Sequence, residues 1–126
     1  MKKKTILVVD DSAVMRQLIS EMLGTGGYQV LLAGDGESAL AQVRKGEVDL
    51  VLTDWTMSPM DGGELTRQLR QLPADEPVPI LVLSTVNGDA SKAEARKAGA
   101  NGWLCKPIDT ETLLAVVGSL IRVVDP

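Results

Sequence analysis

Residues 48–63 read VDLVLTDWTMSPMDGG, and this stretch decides the predicted fold. Residues 48–52 are nearly all apolar, which is typical of a strand buried on both faces. The strand ends at Asp54, and turn-forming residues such as Pro59 and Gly62 follow it. A carboxylate at the carboxyl end of a buried parallel strand points into the crevice where open α/β sheets bind ligands. Taken alone, Asp54 could equally well cap the loop after the strand.

Strand-like and helix-like segments alternate along the rest of the chain. Besides the central strand, apolar runs occupy residues 5–9, 28–33, 78–83 and 103–105, and a segment with helical patterning follows each strand. Either Asp11 or Ser12 can cap the first helix, and Asp109 can cap the last. Five such repeats predict an α/β fold with a parallel sheet covered on both faces, forming one domain over residues 1–126.

Two helices and the cysteine carry more specific expectations. The first helix is expected to bury an apolar face made by Val14, Leu18, Ile19 and Met22. The fourth, which is rich in Ala and Lys and ends at Gly99, is expected to pack weakly and to be mobile. The only cysteine, Cys105, lies in an apolar run and is expected to be an inert buried thiol.

Composition excludes several classes of function. The 126-residue chain has 44% hydrophobic residues, and no apolar run approaches the roughly 20 residues that span a membrane. The apolar run after the lysines at residues 2–4 is too short for a signal peptide, so a cytosolic protein is expected. A net charge of −4 disfavours nucleic-acid binding. The chain contains no histidine, which excludes Ser-His-Asp and Cys-His triads and histidine-ligated zinc.

Polar residues stand at the ends of the predicted strands. Because the carboxyl ends of parallel strands share one edge of the sheet, they should lie together: Asp10, Asp11, Asp54, Ser84 and Lys106. Three converging carboxylates repel one another unless a cation lies among them, and hard oxygen ligands suit Mg²⁺. The lysine and the serine hydroxyl could then bind an anion. An aspartate nucleophile beside Mg²⁺ is the arrangement that forms an aspartyl-phosphate.

Each of these residues also has a purely structural interpretation. Asp10 and Asp11 could be helix caps, Lys106 a solvated surface lysine and Ser84 an ordinary strand-end hydroxyl. Their joint occurrence at strand ends favours a functional site.

The sequence resembles the receiver domains of two-component response regulators over its whole length. Ser84 follows Asp54 by 30 positions and Lys106 follows it by 52, spacings similar to those of the family. The motifs that carry the resemblance are Asp10-Asp11, Asp54 closing LVLTD, Met60-Asp61-Gly62, Ser84 closing ILVLS, and Lys106-Pro107.

The resemblance implies a flavodoxin-like (βα)5 three-layer sandwich with strand order 2-1-3-4-5. It also implies Mg²⁺-dependent phosphoryl transfer to Asp54 from the phosphohistidine of a histidine kinase or histidine phosphotransfer protein. By position, Asp11, Asp54 and the backbone carbonyl of Thr56 would bind the metal, with Asp10 acting mainly through a metal-bound water. Ser84 and Lys106 would contact the phosphoryl group.

A switch is implied as well. Trp103 stands at the position of the family's switch aromatic, although a partly buried core tryptophan is the plainer interpretation. Rotation of its ring would alter the surface formed by the fourth helix, fifth strand and fifth helix, which would bind the downstream protein. The sequence departs from the family at three positions. Ser58 stands where the family usually has proline, Ser84 where threonine is commoner, and Trp103 where the aromatic ring is usually smaller. Thr56 and Val86 flank the site and could control access of water.

The run GANGWLCKP at residues 99–107 and the loop TDWTM look most similar to chemotaxis-type regulators. That similarity implies a chemotaxis kinase and a flagellar switch or phosphatase as partners. The expected function is a signalling module rather than an enzyme, binding neither nucleic acid nor membrane. The alternatives within the family are a phosphorelay shuttle and a receiver belonging to a larger regulator or hybrid kinase.

Two other classes of protein fit less well. A haloacid-dehalogenase-type phosphohydrolase needs a second aspartate two residues after the nucleophile, where this chain has Thr56. A flavodoxin-like electron carrier needs a phosphate-binding loop after the first strand, where Asp10 and Asp11 would repel a phosphate.

Overall fold

The computed structural model describes residues 3–73, 77–86 and 88–121. Strands and helices alternate through these residues: β1 (Thr5–Val9), α1 (Ala13–Thr25), β2 (Gln29–Ala33), α2 (Gly36–Arg44), β3 (Leu50–Asp54), α3 (Gly62–Gln71), β4 (Ile80–Ser84), α4 (Asp89–Ala98), β5 (Gly102–Cys105) and α5 (Thr110–Leu120). Within these ranges, every helix is too short or too polar to cross a membrane.

The strands form one parallel sheet in the order β2-β1-β3-β4-β5, which confirms the predicted topology. Val9 pairs with Thr53, and Asp54 pairs with Leu83, so the carboxyl ends of the central strands are level. β2 starts one residue later than predicted because the Tyr28 backbone N–H donates to Leu23 O and closes the turn after α1. The register brings the polar strand-end residues to one edge.

The core lies on both faces of the sheet, and β1 shows how the sequence produces it. Ile6 and Val8 point to the face covered by α1 and α5, where they meet Leu113 among others. Leu7 and Val9 point to the opposite face, which α2 and α3 cover. All four side chains are at most 1% exposed. A continuous apolar strand is therefore buried on both sides, as the three-layer prediction requires.

Polar side chains begin four of the helices. Ser12, rather than Asp11, caps α1 by accepting a hydrogen bond from Met15 N at 3.3 Å. Asp35, Asp61 and Asp109 cap α2, α3 and α5 in the same way. Because a serine satisfies the backbone of α1, the carboxylate of Asp11 is free for another role.

The predicted apolar face of α1 is confirmed at Ile19 and at Met22, which packs against the core, but is wrong at Val14 and Leu18. Val14 is 76% exposed and Leu18 is 45% exposed, whereas Ile19 and Leu23 are buried. Ile19 and Leu23 are four residues apart and form the stripe that meets the sheet. Val14 and Leu18 are also four residues apart, but Leu18 precedes Ile19 by one position. One position is a rotation of about 100° around the helix axis, so this second pair faces solvent.

The packing of α4 and β5 agrees only in part with expectation. Ala95 is the only residue of α4 that is buried, so the helix has little apolar contact, as predicted. Its first turn has no side-chain cap, whereas Gly99, in the left-handed conformation with φ of 115°, ends it. The mobility of α4 stays a prediction. Cys105 is partly exposed rather than buried, because β5 is an edge strand.

Candidate functional site

Three carboxylates meet at the carboxyl edge of the sheet. Asp10 and Asp11 follow β1 directly, and Asp54 ends β3. One oxygen from each lies within 4.8 Å of the others. Asp10 is buried, Asp11 is exposed and Asp54 is intermediate, so the cluster opens to solvent on one side.

Lys106 completes the cluster. Its Nζ lies 3.2 Å from Asp10 Oδ2 and 3.7 Å from Asp54 Oδ2. Its backbone N–H donates to Ser84 O at 2.8 Å, which fixes the chain beyond β5 against the end of β4. One ammonium group faces three carboxylates, so excess negative charge stays at the site.

Burial raises the pKa of Asp54 above its usual value. The charge of Lys106 opposes the shift, the neighbouring Asp10 adds to it, and hydrogen bonds from the backbone N–H groups of Thr56 and Trp55 oppose it. Desolvation of the charged form is the dominant cause, so Asp54 is a carboxylate that a nearby cation would stabilise.

This raised pKa predicts a pH-dependent stability of the metal-free protein. The folded state holds the Asp54 proton more tightly than the unfolded chain, so the contribution of Asp54 to stability is full below the unfolded pKa. It is lost as pH rises through the folded pKa. In the presence of a chelator, we therefore expect Asp54→Asn to melt at a higher temperature than the unmodified protein at neutral pH. The difference should shrink towards about pH 4.

Thermal unfolding of both proteins across a pH series measures this effect. Because all other titrating groups are common to the two proteins, their difference isolates Asp54. A difference that stays constant with pH would show that the pKa of Asp54 is not raised.

Ser84 and Trp103 are connected through one residue of the loop after β4. Ser84 is fully buried, and its Oγ accepts a hydrogen bond from Val86 N at 3.1 Å. The carbonyl of Val86 in turn accepts a hydrogen bond from Trp103 Nε1 at 3.1 Å. Because Ser84 Oγ accepts this hydrogen bond, its hydroxyl proton is still available to donate. A movement of Val86 would change the hydrogen bonds of both Ser84 and Trp103.

The loop after β3 is held close to Asp54 by Gly62. The backbone N–H of Gly62 donates to Trp55 O at 2.9 Å, and a Cβ added at Gly62 would lie 2.4 Å from Asp54 O. Met57 turns inward and is 8% exposed, whereas the predicted metal ligand Thr56 is exposed. The peptide bond between Ser58 and Pro59 is cis.

Sequence reasoning missed two contacts at the site. The rings of Trp55 and Trp103 have centroids 5.3 Å apart at an interplanar angle of 56°. Arg16 Nη1 donates to the backbone carbonyl of Asp10 at 2.6 Å. Trp55 follows β3 and Trp103 lies in β5, with β4 between the two strands, so no sequence pattern indicated the first contact, and none indicated the second.

The donor set fits Mg²⁺. Carboxylate oxygens are hard ligands, three of them converge here, and the exposed side at Asp11 leaves room for the waters that Mg²⁺ usually keeps. A softer metal would favour histidine or cysteine ligands, and the cluster contains neither residue type.

Comparison with known proteins establishes the family. The family model for the response regulator receiver domain matches residues 6–118. The chain belongs to this family. A receiver domain is a signalling module of two-component systems, so the fold and family inferred from the sequence are confirmed.

The similar proteins include a protein PilH, a chemotaxis protein and the receiver domain of a sensor kinase. Protein PilH of Pseudomonas aeruginosa is 34% identical over 116 residues, which are 92% of this chain and 96% of PilH. The chemotaxis protein CheY4 of Vibrio cholerae is 37% identical, with a TM-score of 0.90 over 94% of this chain and 99% of that one. The receiver domain of the Pseudomonas aeruginosa sensor kinase PA1611, solved with magnesium in its active site cleft, is 29% identical, with a TM-score of 0.87 over 95% and 98% of the two chains.

The fraction of a relative's length that this chain spans differs from one relative to another. The chain spans nearly all of PilH, but only 52% of response regulator MprA of Mycobacterium leprae and 54% of the phosphate regulon regulator PhoB of Pseudomonas aeruginosa.

Proposed function

We propose that Asp54 accepts a phosphoryl group in a Mg²⁺-dependent reaction and that the phosphorylated receiver signals by a changed affinity for another protein. The donor is the phosphohistidine of a histidine kinase or histidine phosphotransfer protein. The observation that carries the proposal is the partly exposed Asp54 carboxylate, which lies with two further carboxylates and 3.7 Å from Lys106 Nζ.

The transfer balances without another reactant. An Asp54 carboxylate oxygen attacks phosphorus, a P–O bond forms, and the P–N bond to the donor imidazole breaks with its electron pair passing to the ring nitrogen. Because residues 1–126 contain no histidine, the donor histidine lies outside this receiver domain. Lys106 pairs with the new phosphoryl oxygens, and the hydroxyl of Ser84 donates to one of them.

The proposed metal ligands are Asp11, Asp54 and the backbone carbonyl of Thr56, with Asp10 acting through a metal-bound water. When bound, Mg²⁺ would neutralise charge on the phosphoryl oxygens. The PA1611 receiver, which has a similar fold and holds magnesium in its active site cleft, supports a magnesium site here.

The proposed switch passes from Ser84 to Trp103. A hydrogen bond from Ser84 to the phosphoryl group would draw Val86 towards Asp54 and weaken the hydrogen bond that Trp103 Nε1 donates to Val86 O. Release of Trp103 would change the face formed by α4, β5 and α5, where we place the downstream partner. Because α4 buries little apolar surface, such a change would cost little free energy.

A chemotaxis-type output is favoured by the likeness to CheY4 and by the near-complete coverage of PilH. A phosphorelay shuttle is the second candidate, and it predicts phosphoryl transfer from Asp54 onward to a second histidine protein. We assign no hydrolase activity, because Thr56 offers no carboxyl group where a phosphohydrolase needs its general acid.

The exposed pair on α1 predicts where the donor docks. Val14 and Leu18 lie one and two turns beyond Asp11, beside the open side of the site, and are the two most exposed large hydrophobic residues of the described part of the chain. Replacing both with Gln should slow transfer from a phosphohistidine protein by about tenfold, because apolar contact with the donor is lost. Phosphorylation by acetyl phosphate, which needs no protein surface, should be unchanged.

Leu32→Gln provides the matched control, since Leu32 is 40% exposed but lies on β2. Radiolabelled transfer from a phosphorylated kinase domain measures the first rate, and intact mass measures the second. Equal loss with both donors would place the defect in the site rather than in docking.

The proposed reaction is tested with the fluorescence of Trp55, which directly follows Asp54. We expect Mg²⁺ to change the emission, and beryllofluoride or acetyl phosphate to change it further. Asp54→Asn should abolish the second response. A protein that responds to none of these additions would keep the fold without the chemistry, which would contradict the proposal.

A further inference from the structure

Arg16 contacts the peptide that joins the two consecutive aspartates. Its Nη1 donates to the carbonyl of Asp10 at 2.6 Å, and the side chain is only partly exposed. The guanidinium group lies against the loop after β2, where a Cβ on Gly34 would be 3.3 Å from the same nitrogen. Arg16 thus extends from α1 across the end of β1 towards the end of β2.

The two aspartates are held very differently. Asp10 is fixed by its own side chain, which accepts from Ser12 N at 2.9 Å and pairs with Lys106, and by its N–H, which donates to Ala33 O at 3.2 Å. Asp11 is exposed, and its carboxylate has no hydrogen bond or ion pair with any described residue. The direction of the Asp11 side chain therefore depends on the peptide plane between Asp10 and Asp11.

We propose that Arg16 is a positioning residue for the metal site. By holding the carbonyl of Asp10, it fixes that peptide plane and keeps the Asp11 carboxylate directed towards Asp54. Outer contacts that orient a metal ligand commonly change metal affinity by about tenfold or more when they are removed. The inference rests on the proposed Mg²⁺ site and adds a residue that does not touch the metal.

The charge of Arg16 allows positioning to be separated from electrostatics. A guanidinium group near a cation site repels the cation, so charge alone predicts that a neutral substitution tightens Mg²⁺ binding. Positioning predicts the opposite. Arg16→Lys keeps the charge but has a shorter side chain without the planar fork, whereas Arg16→Met removes both charge and donor.

The experiment is a Mg²⁺ titration of the full chain, followed by tryptophan fluorescence and repeated by calorimetry. We expect Arg16→Met and Arg16→Lys both to raise the Mg²⁺ dissociation constant, by about tenfold for Met. Arg44→Met and Arg44→Lys make the same changes on the exposed last turn of α2 and should leave it unchanged. Thermal unfolding shows that each variant is folded.

The outcomes separate this inference from the function on which it rests. If the unmodified protein does not bind Mg²⁺, the proposed function fails. If the unmodified protein binds Mg²⁺ and Arg16→Met binds it equally or more tightly, the positioning role is wrong. Should Arg16→Met fail to fold, Arg16→Lys decides, because its unchanged affinity would likewise overturn the inference.

Discussion

Lys106→Met is expected to slow phosphorylation of Asp54 by acetyl phosphate about a hundredfold. The ammonium group lies 3.2 Å from Asp10 Oδ2 and 3.7 Å from Asp54 Oδ2, where it would meet the oxygens of an incoming phosphoryl group. Loss of one preorganised donor at a reacting oxygen typically costs about 10²-fold or more in rate. A time course of intact mass at saturating Mg²⁺ measures the effect.

The same variant should bind Mg²⁺ more tightly, because a positive charge next to the carboxylates is removed. Tighter binding would show that Lys106→Met is folded and that its slow reaction is a chemical defect. Lys92→Met, on α4, is the matched control and should react at the normal rate. A rate for Lys106→Met within about twofold of normal would contradict the role given to Lys106.

Gly62→Ala is expected to damage both stability and site. The added Cβ would lie 2.4 Å from Asp54 O and 2.9 Å from Trp55 Cα. Both are backbone atoms, which cannot move aside as the end of a flexible side chain can. Overpacking of this kind typically costs about 1–3 kcal/mol of unfolding free energy, and here the displaced backbone carries Asp54 itself.

Urea unfolding measures the stability change of Gly62→Ala, and a Mg²⁺ titration measures the change at the site. Gly24→Ala is the matched control, because nothing lies within 4 Å of a Cβ at that position of α1. It should increase stability by up to about 1 kcal/mol. A Gly62→Ala protein as stable as the unmodified one would show that the loop after β3 adapts freely.

Much of the fold could be predicted because its strands carry an unambiguous pattern. Residues 5–9 form an apolar run that Asp10 follows, and residues 50–54 form one that ends in Asp54. Such runs are stable only between two layers of helices. The parallel arrangement then places every strand end at one edge. The sequence pattern therefore predicts that Asp10, Asp54 and Lys106 converge.

The rest depended on tertiary geometry. Helical periodicity shows that α1 is amphipathic, but it does not decide which of two adjacent stripes meets the sheet. The predicted face included residues of both stripes, and only the one with Ile19 and Leu23 is buried. The contact of Arg16 with a backbone carbonyl leaves no sequence pattern. The packing of Trp55 on Trp103 depends on the rotamers of two side chains that are 48 residues apart in the sequence.

The most direct test of the central claim is the intact mass of the protein after incubation with acetyl phosphate, with and without Mg²⁺. We predict a mass increase of one phosphoryl group that requires Mg²⁺, is absent from Asp54→Asn, and maps to the peptide containing Asp54. A mass increase that persists in Asp54→Asn, or none in the unmodified protein with Mg²⁺, would contradict the claim that Asp54 is the phosphoryl acceptor.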